Sequence, residues 1–263
     1  MNINDISTQL MYTTVPIYVK YKSNNFGSGT GFIFSVPANN NETIPLLITN
    51  YHVVENMQEG CIELHISEKN LPTNNTIKVN FSEEIINQNK LGNLDLVAIP
   101  IASVLNELQS KNINVFYRTI GKEIIPNQEQ INELAAIEDI TFVGYPNGLY
   151  DNVNKMSIVR RGITATPIWN NFKGEDAFLI DAGVFPGSSG SPVFIYNRGT
   201  YPTNNGVVVG NRLMFVGVIS STIKSNNAFS NDYLDLGYVI KSNVMDKEID
   251  KLLITLKEEY NNK

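Results

Sequence analysis

A chain of 263 residues that is 42% apolar and 17% charged is long enough to bury a large core, as one all-β unit or two small barrels, and too apolar to remain disordered. Its formal net charge of -6 argues against the concentrated positive surface that nucleic-acid binding requires. The single Cys61 excludes an intramolecular disulfide, and no stretch has the pattern of a transmembrane helix or a secretory leader, so a cytoplasmic protein without membrane contact is expected.

The first clear element is Val15-Pro16-Ile17-Tyr18-Val19-Lys20-Tyr21, a β-branched and aromatic run that reads as a strand. A glycine-rich strand, Gly27-Ser28-Gly29-Thr30-Gly31-Phe32-Ile33, follows, then a polar loop over residues 37–45. Leu46-Leu47-Ile48 forms a short strand that delivers His52. Further strands are expected around residues 62–66, 77–81 and 94–100, with a short helix over 105–111. Together these predict a first β-barrel over residues 1–120, carrying His52 and Asp95.

Residues 121–137, with Pro126, three glutamates and several amides, break the strand pattern and read as a connection. Strand-like runs then recur at 140–144, 157–166, 177–181, 191–196, 214–222 and 236–240, enough for a second six-stranded barrel over 138–242 that carries Ser189. After Ser242 the period changes: Val244, Glu248, Ile249, Leu252, Leu253 and Leu256 suit one face of a C-terminal helix over 243–263, which either covers a barrel or meets another copy. The predicted class is therefore all-β, two antiparallel six-stranded barrels with a terminal helix.

Three separated stretches hold the chemistry. Phe185-Pro186-Gly187-Ser188-Ser189-Gly190-Ser191-Pro192 can set a serine hydroxyl beside exposed backbone N–H groups. Leu47-Ile48-Thr49-Asn50-Tyr51-His52-Val53-Val54 and Asn93-Leu94-Asp95-Leu96-Val97-Ala98-Ile99 each offer one base or acid flanked by strand residues. A serine hydroxyl is a poor nucleophile near neutral pH and needs a base to take its proton, and the base needs an acid to orient it.

The order His52, Asp95, Ser189, with Phe142-Val143-Gly144-Tyr145-Pro146 and Val216-Gly217-Val218-Ile219-Ser220 between and after them, resembles the chymotrypsin-like serine peptidases. Within them the motifs are similar to the protease domain of the bacterial HtrA/Deg proteases, although no segment of PDZ length follows. The resemblance is colinear from about Val15 to Tyr238, and implies a serine endopeptidase working through an acyl-enzyme, with a cofactor-free His52–Asp95–Ser189 triad. It further implies an oxyanion hole at Gly187, Ser188 and Ser189, the donors being the N–H groups of Gly187 and Ser189. Substrate would meet Gly183, Val184 and Phe185 on one wall and Val218, Ile219, Ser220 and Ser221 on the other. Gly183 stands six positions before Ser189, where relatives specific for basic residues carry an aspartate, so cleavage after Lys or Arg is disfavoured and an uncharged pocket for small or medium apolar residues is expected. The alternative is a protease-like scaffold or binding protein whose triad is latent. Protein or peptide substrates, and a separate regulatory protein, are the expected partners.

The remaining candidates read as structure. Cys61 and His65 alternate with apolar residues in one half-buried strand, Asp139, Asp176 and Asp181 fall in loops or on strand rims, and Lys155, Arg160 and Arg161 read as a solvated rim. Two histidines far apart, without a His-Glu-x-x-His or paired-cysteine pattern, give no metal site, and the glycine run at 27–31 leads into no helix of the kind that cradles a nucleotide.

Overall fold

A computed structural model describes residues 2–38, 42–203, 206–224 and 233–261; positions 39–41 of the expected polar loop and 262–263 of the expected terminal helix lie outside the described residues. A short helix α1 (Ile6–Met11) precedes β1 (Thr14–Tyr21), β2 (Phe26–Pro37), β3 (Thr43–Thr49), a four-residue helix α2 (Tyr51–Val54), β4 (Met57–Glu68) and β5 (Leu71–Phe81). Helix α3 (Glu83–Gln88), β6 (Val97–Pro100), α4 (Ala102–Ser110), β7 (Val115–Phe116) and β8 (Ile120–Gly121) complete the N-terminal half. The C-terminal half contains α5 (Gln128–Asn132), β9 (Asp139–Gly144), β10 (Ile158–Thr164), β11 (Ala177–Asp181), β12 (Pro192–Asn197), a hairpin of β13 (Thr200–Thr203) and β14 (Gly206–Val209), β15 (Arg212–Lys224), β16 (Tyr233–Lys241) and helix α6 (Ser242–Asn261).

The second half is a closed barrel in the order β10-β11-β16-β15-β12-β9. The first half is a sheet in the order β5-β4-β1-β2-β3-β6, with β7 on β4 and β8 on β2, whose ends do not pair. The chain between β5 and β6 is instead taken up by α3, whose Ile86 is fully buried in the same core as Val79, Phe81, Val97 and Ile99. A helix thus fills the seam that strand pairing would have closed. The all-β class stands, with one barrel closed by hydrogen bonds and one half curled around its core.

The halves share a core because β2 and β3 are buried on both faces, as strands covered on two sides must be. Alternation sends Ile33 and Leu47 into the N-terminal core with Ile17, Val53 and Val54, while Phe32, Phe34, Leu46 and Ile48 meet Phe194, Phe215, Val218 and Ile240 from the closed barrel. The Phe32 and Phe215 rings meet edge to face at 5.4 Å between centroids. Met245 and Ile249 of α6 are fully buried in that same cluster, so the helix covers the junction between halves. The connection expected over 121–137 is ordered: Asn127 caps α5 through a reciprocal pair of hydrogen bonds with Gln130. Glu138 and Arg212, both 6% exposed, pair at 2.5 Å and tie the start of β9 to β15.

Cys61 is half-buried and burial pushes its thiol up from the ordinary value, away from thiolate chemistry. His65 lies with Nδ1 3.0 Å from the Thr73 carbonyl and Nε2 3.0 Å from the Lys155 carbonyl, joining the β4–β5 hairpin to a loop of the other half. Among the described residues no helix is long and apolar enough to cross a membrane.

Candidate active site

The register of β3 against β6 decides which side chains meet at the junction. Leu46 pairs with Pro100 and Thr49 with Val97, so the chain leaving β3 at Asn50 runs beside the chain entering β6 at Asp95. The Asp95 carbonyl accepts from the buried Asn50 Nδ2 at 2.8 Å and from Tyr51 N–H at 3.2 Å, which fixes the first turn of α2 against the β6 entry. His52 follows on that turn.

The Asp95 carboxylate then makes three contacts. Oδ1 accepts from His52 N–H at 2.9 Å, while Oδ2 lies 2.7 Å from His52 Nδ1 and accepts from the Ser220 hydroxyl at 2.7 Å. A carboxylate only accepts, so His52 Nδ1 carries a proton, and the neutral ring then presents its lone pair at Nε2. Burial by itself would raise the Asp95 carboxyl, but the hydrogen bonds from the His52 ring and N–H, the attraction of His52 and the Ser220 hydroxyl together hold it below the ordinary aspartate value.

Ser189 is presented by a loop that only glycine allows. Pro186-Gly187 forms the centre of a turn closed by Ser188 N–H on the Phe185 carbonyl at 2.9 Å, with Gly187 at φ +87°; this is type II geometry, which asks for glycine at its third position. Gly190 also has φ +88°, and a Cβ there would lie 1.9 Å from the Thr30 carbonyl oxygen. The loop is pinned on both sides: Thr30 N–H donates to the Ser189 carbonyl at 2.9 Å, and Gly190 N–H donates to the Ile219 carbonyl at 2.8 Å. Among the described residues the N–H groups of Gly187 and Ser189 have no acceptor. Ser188, expected in the oxyanion hole, spends its N–H inside the turn and separates the two open donors.

The Ser189 hydroxyl donates to the Ser220 carbonyl at 3.0 Å. Among the described residues no hydrogen bond joins it to His52. Ser220 therefore spans the site, its hydroxyl on Asp95 and its carbonyl under Ser189. The sequence reading placed Ser220 on the substrate wall and missed this bridge, because nothing local distinguishes it from Ser221.

Part of the expected substrate wall has its side chains in the cores. Val184, Val218 and Ile219 are at most 2% exposed and belong to the hydrophobic cores. They back the site, and Ile219 N–H and carbonyl are both engaged by the serine loop. Of the rest, the Ser220 carbonyl accepts from the Ser189 hydroxyl and Phe185 closes the turn before it. A cation lies against the residues expected to form an uncharged wall: the Arg160 guanidinium lies over Gly183, where its Nη2 would be 2.6 Å from an added Cβ, and its Cζ sits 4.9 Å from the Phe185 ring centroid. Among the described residues no cluster of His, Cys, Asp or Glu side chains is arranged to hold a metal ion.

Thr30 is the second residue missed. It is fully buried; its hydroxyl donates to the Gly187 carbonyl at 2.8 Å and accepts from Tyr145 N–H at 3.0 Å. One side chain of the N-terminal half thus holds the Gly187–Ser188 peptide, which lies between the two open donors. Thr30→Val keeps the shape and strands both partners, and each buried orphan costs about 1–3 kcal/mol. The expected outcome is a lower urea midpoint at unchanged m-value; an unchanged midpoint would show that the hydroxyl holds nothing.

Known proteins resemble the chain in sequence family and in fold. The sequence profile of the trypsin-like peptidase domain matches residues 29–200, a span that contains His52, Asp95 and Ser189. No curated protein matches the chain. Among solved structures, the HtrA-type protease AlgW with tripeptide is similar at 13% identity and TM-score 0.51, covering 94% of this chain and 62% of that one. A serine endoprotease from Yersinia pestis is similar at 17% identity and TM-score 0.51, covering 96% of this chain and 66% of that one. An inactive-form Ser-to-Ala mutant of Rv3671c from Mycobacterium tuberculosis H37Rv matches at 14% identity and TM-score 0.49, over 97% of this chain and 92% of that one. The chain spans slightly less than two thirds of the first two of these structures.

Proposed function

The chain belongs to the trypsin-like peptidase family, and from that premise we propose that it is a serine endopeptidase using His52, Asp95 and Ser189. The observation that carries this reading is the Asp95 carboxylate holding His52 Nδ1 at 2.7 Å beside the loop that presents Ser189. It leaves a basic Nε2 at the junction between the two halves, where the serine loop is docked.

In the proposed reaction the Ser189 hydroxyl oxygen bonds to the scissile carbonyl carbon while its proton passes to His52 Nε2. The carbonyl oxygen takes the negative charge, and Gly187 and Ser189 N–H groups, which have no acceptor among the described residues, face it. The C–N bond then breaks, the amine leaves with the proton held by His52, and an acyl-serine remains. Water, deprotonated by His52, attacks that ester, and the proton returns to Ser189 as the acid product departs.

The Ser189 hydroxyl starts on the Ser220 carbonyl, so the cycle begins with a rotation about Cα–Cβ toward His52. This supports control of activity by substrate or by a separate regulatory protein. The same bond favours the second reading, a protease-like scaffold with a latent triad. A reducing, cytoplasmic setting belongs to the proposal and rests on the lone Cys61. Incubation with a serine-reactive fluorophosphonate, followed by intact-mass and peptide mapping, is expected to place one adduct on Ser189. Absence of both adduct and peptide turnover, across substrate panels and candidate partners, would support the scaffold.

A further inference from the structure

Arg160 stands on β10 directly opposite Phe142 of β9. Residues opposite each other in an antiparallel pair share a face, and Phe142 is 1% exposed in the core of the closed barrel. Arg160 therefore leaves the strand on the inward side, whereas its neighbours Val159 and Ile163 are exposed. The guanidinium emerges at the barrel end against Gly183 and Phe185. Phe185 is tied to Ser188 by the turn that precedes the serine, so the cation lies one turn from the nucleophile.

Its contacts leave its chemistry unused. Arg161 pairs with Asp139, Arg198 with Asp5 and Arg212 with Glu138, and Arg118 donates to the Tyr117 carbonyl. Arg160 alone of the arginines has neither a hydrogen bond nor an ion pair among the described residues. The contact with the Phe185 ring, 4.9 Å from Cζ to the centroid, takes up none of the N–H donors in a hydrogen bond. Its N–H donors lie in the plane, in the fork that matches a carboxylate. Gly183 provides the room: any side chain there would meet Nη2 and Cζ.

We infer that Arg160 is a specificity-determining residue that receives the side-chain carboxylate of Asp or Glu at the substrate position just before the scissile bond. The inference rests on the serine-peptidase reading and names its substrate class. A carboxylate entering beside Gly183 and Phe185 gains charge-assisted hydrogen bonds from the open fork. A Lys or Arg substrate brings a like charge to the same place, and an apolar one leaves the fork unpaired.

The test uses internally quenched peptides that differ only at that position, as Glu, Asp, Gln, Val or Lys. Wild-type kcat/KM is expected to favour Glu over its isostere Gln by about 10- to 100-fold, with Lys lowest. In Arg160→Gln the Glu-to-Gln ratio falls toward 1, and in Arg160→Glu the Lys peptide overtakes the Glu peptide. Equal wild-type cleavage of Glu and Gln, or a preference for Val, overturns the inference while leaving the serine mechanism intact, and this arm needs no variant to fold. Binding of the Glu and Gln peptides to Ser189→Ala by calorimetry separates the two readings. Tighter Glu binding that Arg160→Gln removes, with no Ser189 adduct or turnover in wild type, supports the acidic subsite and sinks the catalytic reading. Equal binding of the two peptides overturns the subsite.

Discussion

Ser189→Ala is expected to lower kcat by about a millionfold, the scale seen when a serine nucleophile of this type is removed. The substitution deletes one hydroxyl and its hydrogen bond to the Ser220 carbonyl. It leaves the backbone contacts that shape the loop: Ser189 carbonyl to Thr30, Gly190 to Ile219 and Ser191 to Ser188. Fold and N–H donors therefore persist, and whatever rate survives comes from binding and the open donors without an acyl-enzyme. Progress curves on a quenched peptide, beside circular dichroism and a urea midpoint close to wild type, check this. Near-native turnover by the folded variant would remove Ser189 from the mechanism and force a different nucleophile.

The strand positions were legible where an apolar run is unbroken. Leu46-Leu47-Ile48 and residues 191–196 announce themselves by continuous apolar runs, which is what strands buried on both faces must have. The seam between β5 and β6 was not legible, since closure depends on whether Ile86 of a six-residue helix or a strand edge reaches the core, a tertiary choice with no local period. The extension of β4 and β5 around Lys69 and Asn70, both at positive φ, was hidden for a similar reason: a left-handed Lys carries no turn signature of its own. The exposed β13–β14 hairpin has no buried face to give it a period.

In the site, His52, Asp95 and Ser189 could be read because each sits in a stretch of fixed local grammar. Thr30, Ser220 and Arg160 could not. The Thr30 hydroxyl acts on Gly187, 157 residues away, and Ser220 acts on Asp95 at a separation of 125. Arg160 beside Arg161 looks like a basic surface pair, and only the pleat of β10 against β9 separates the inward from the outward residue. Contacts set by register carry chemistry that no window along the chain contains.

Asp95→Asn is expected to cost about 10^4-fold in kcat with the fold retained. The Asp95 carboxylate accepts from three donors: His52 N–H, His52 Nδ1–H and the Ser220 hydroxyl. An asparagine offers one oxygen and one NH2 group. If the oxygen stays on the His52 N–H, the amide nitrogen faces Nδ1, which can then only accept. The imidazole moves its proton to Nε2, and the atom that must take the Ser189 proton is already occupied. The same substitution has a pH signature. The Asp95 carboxyl is held below its ordinary value of 3.8 in the folded chain, so its ionised form contributes stability that is fully present above that value and is lost as pH falls through the lower folded value. Asparagine does not titrate there. The stability difference between wild type and Asp95→Asn is therefore expected to be largest near neutral pH and to shrink under acid, measured as urea midpoints at about pH 7 and about pH 3. A difference that stays constant across that range would mean that the carboxylate is not held by His52 and Ser220 in solution. A kcat loss without it would then point to some route other than the histidine tautomer.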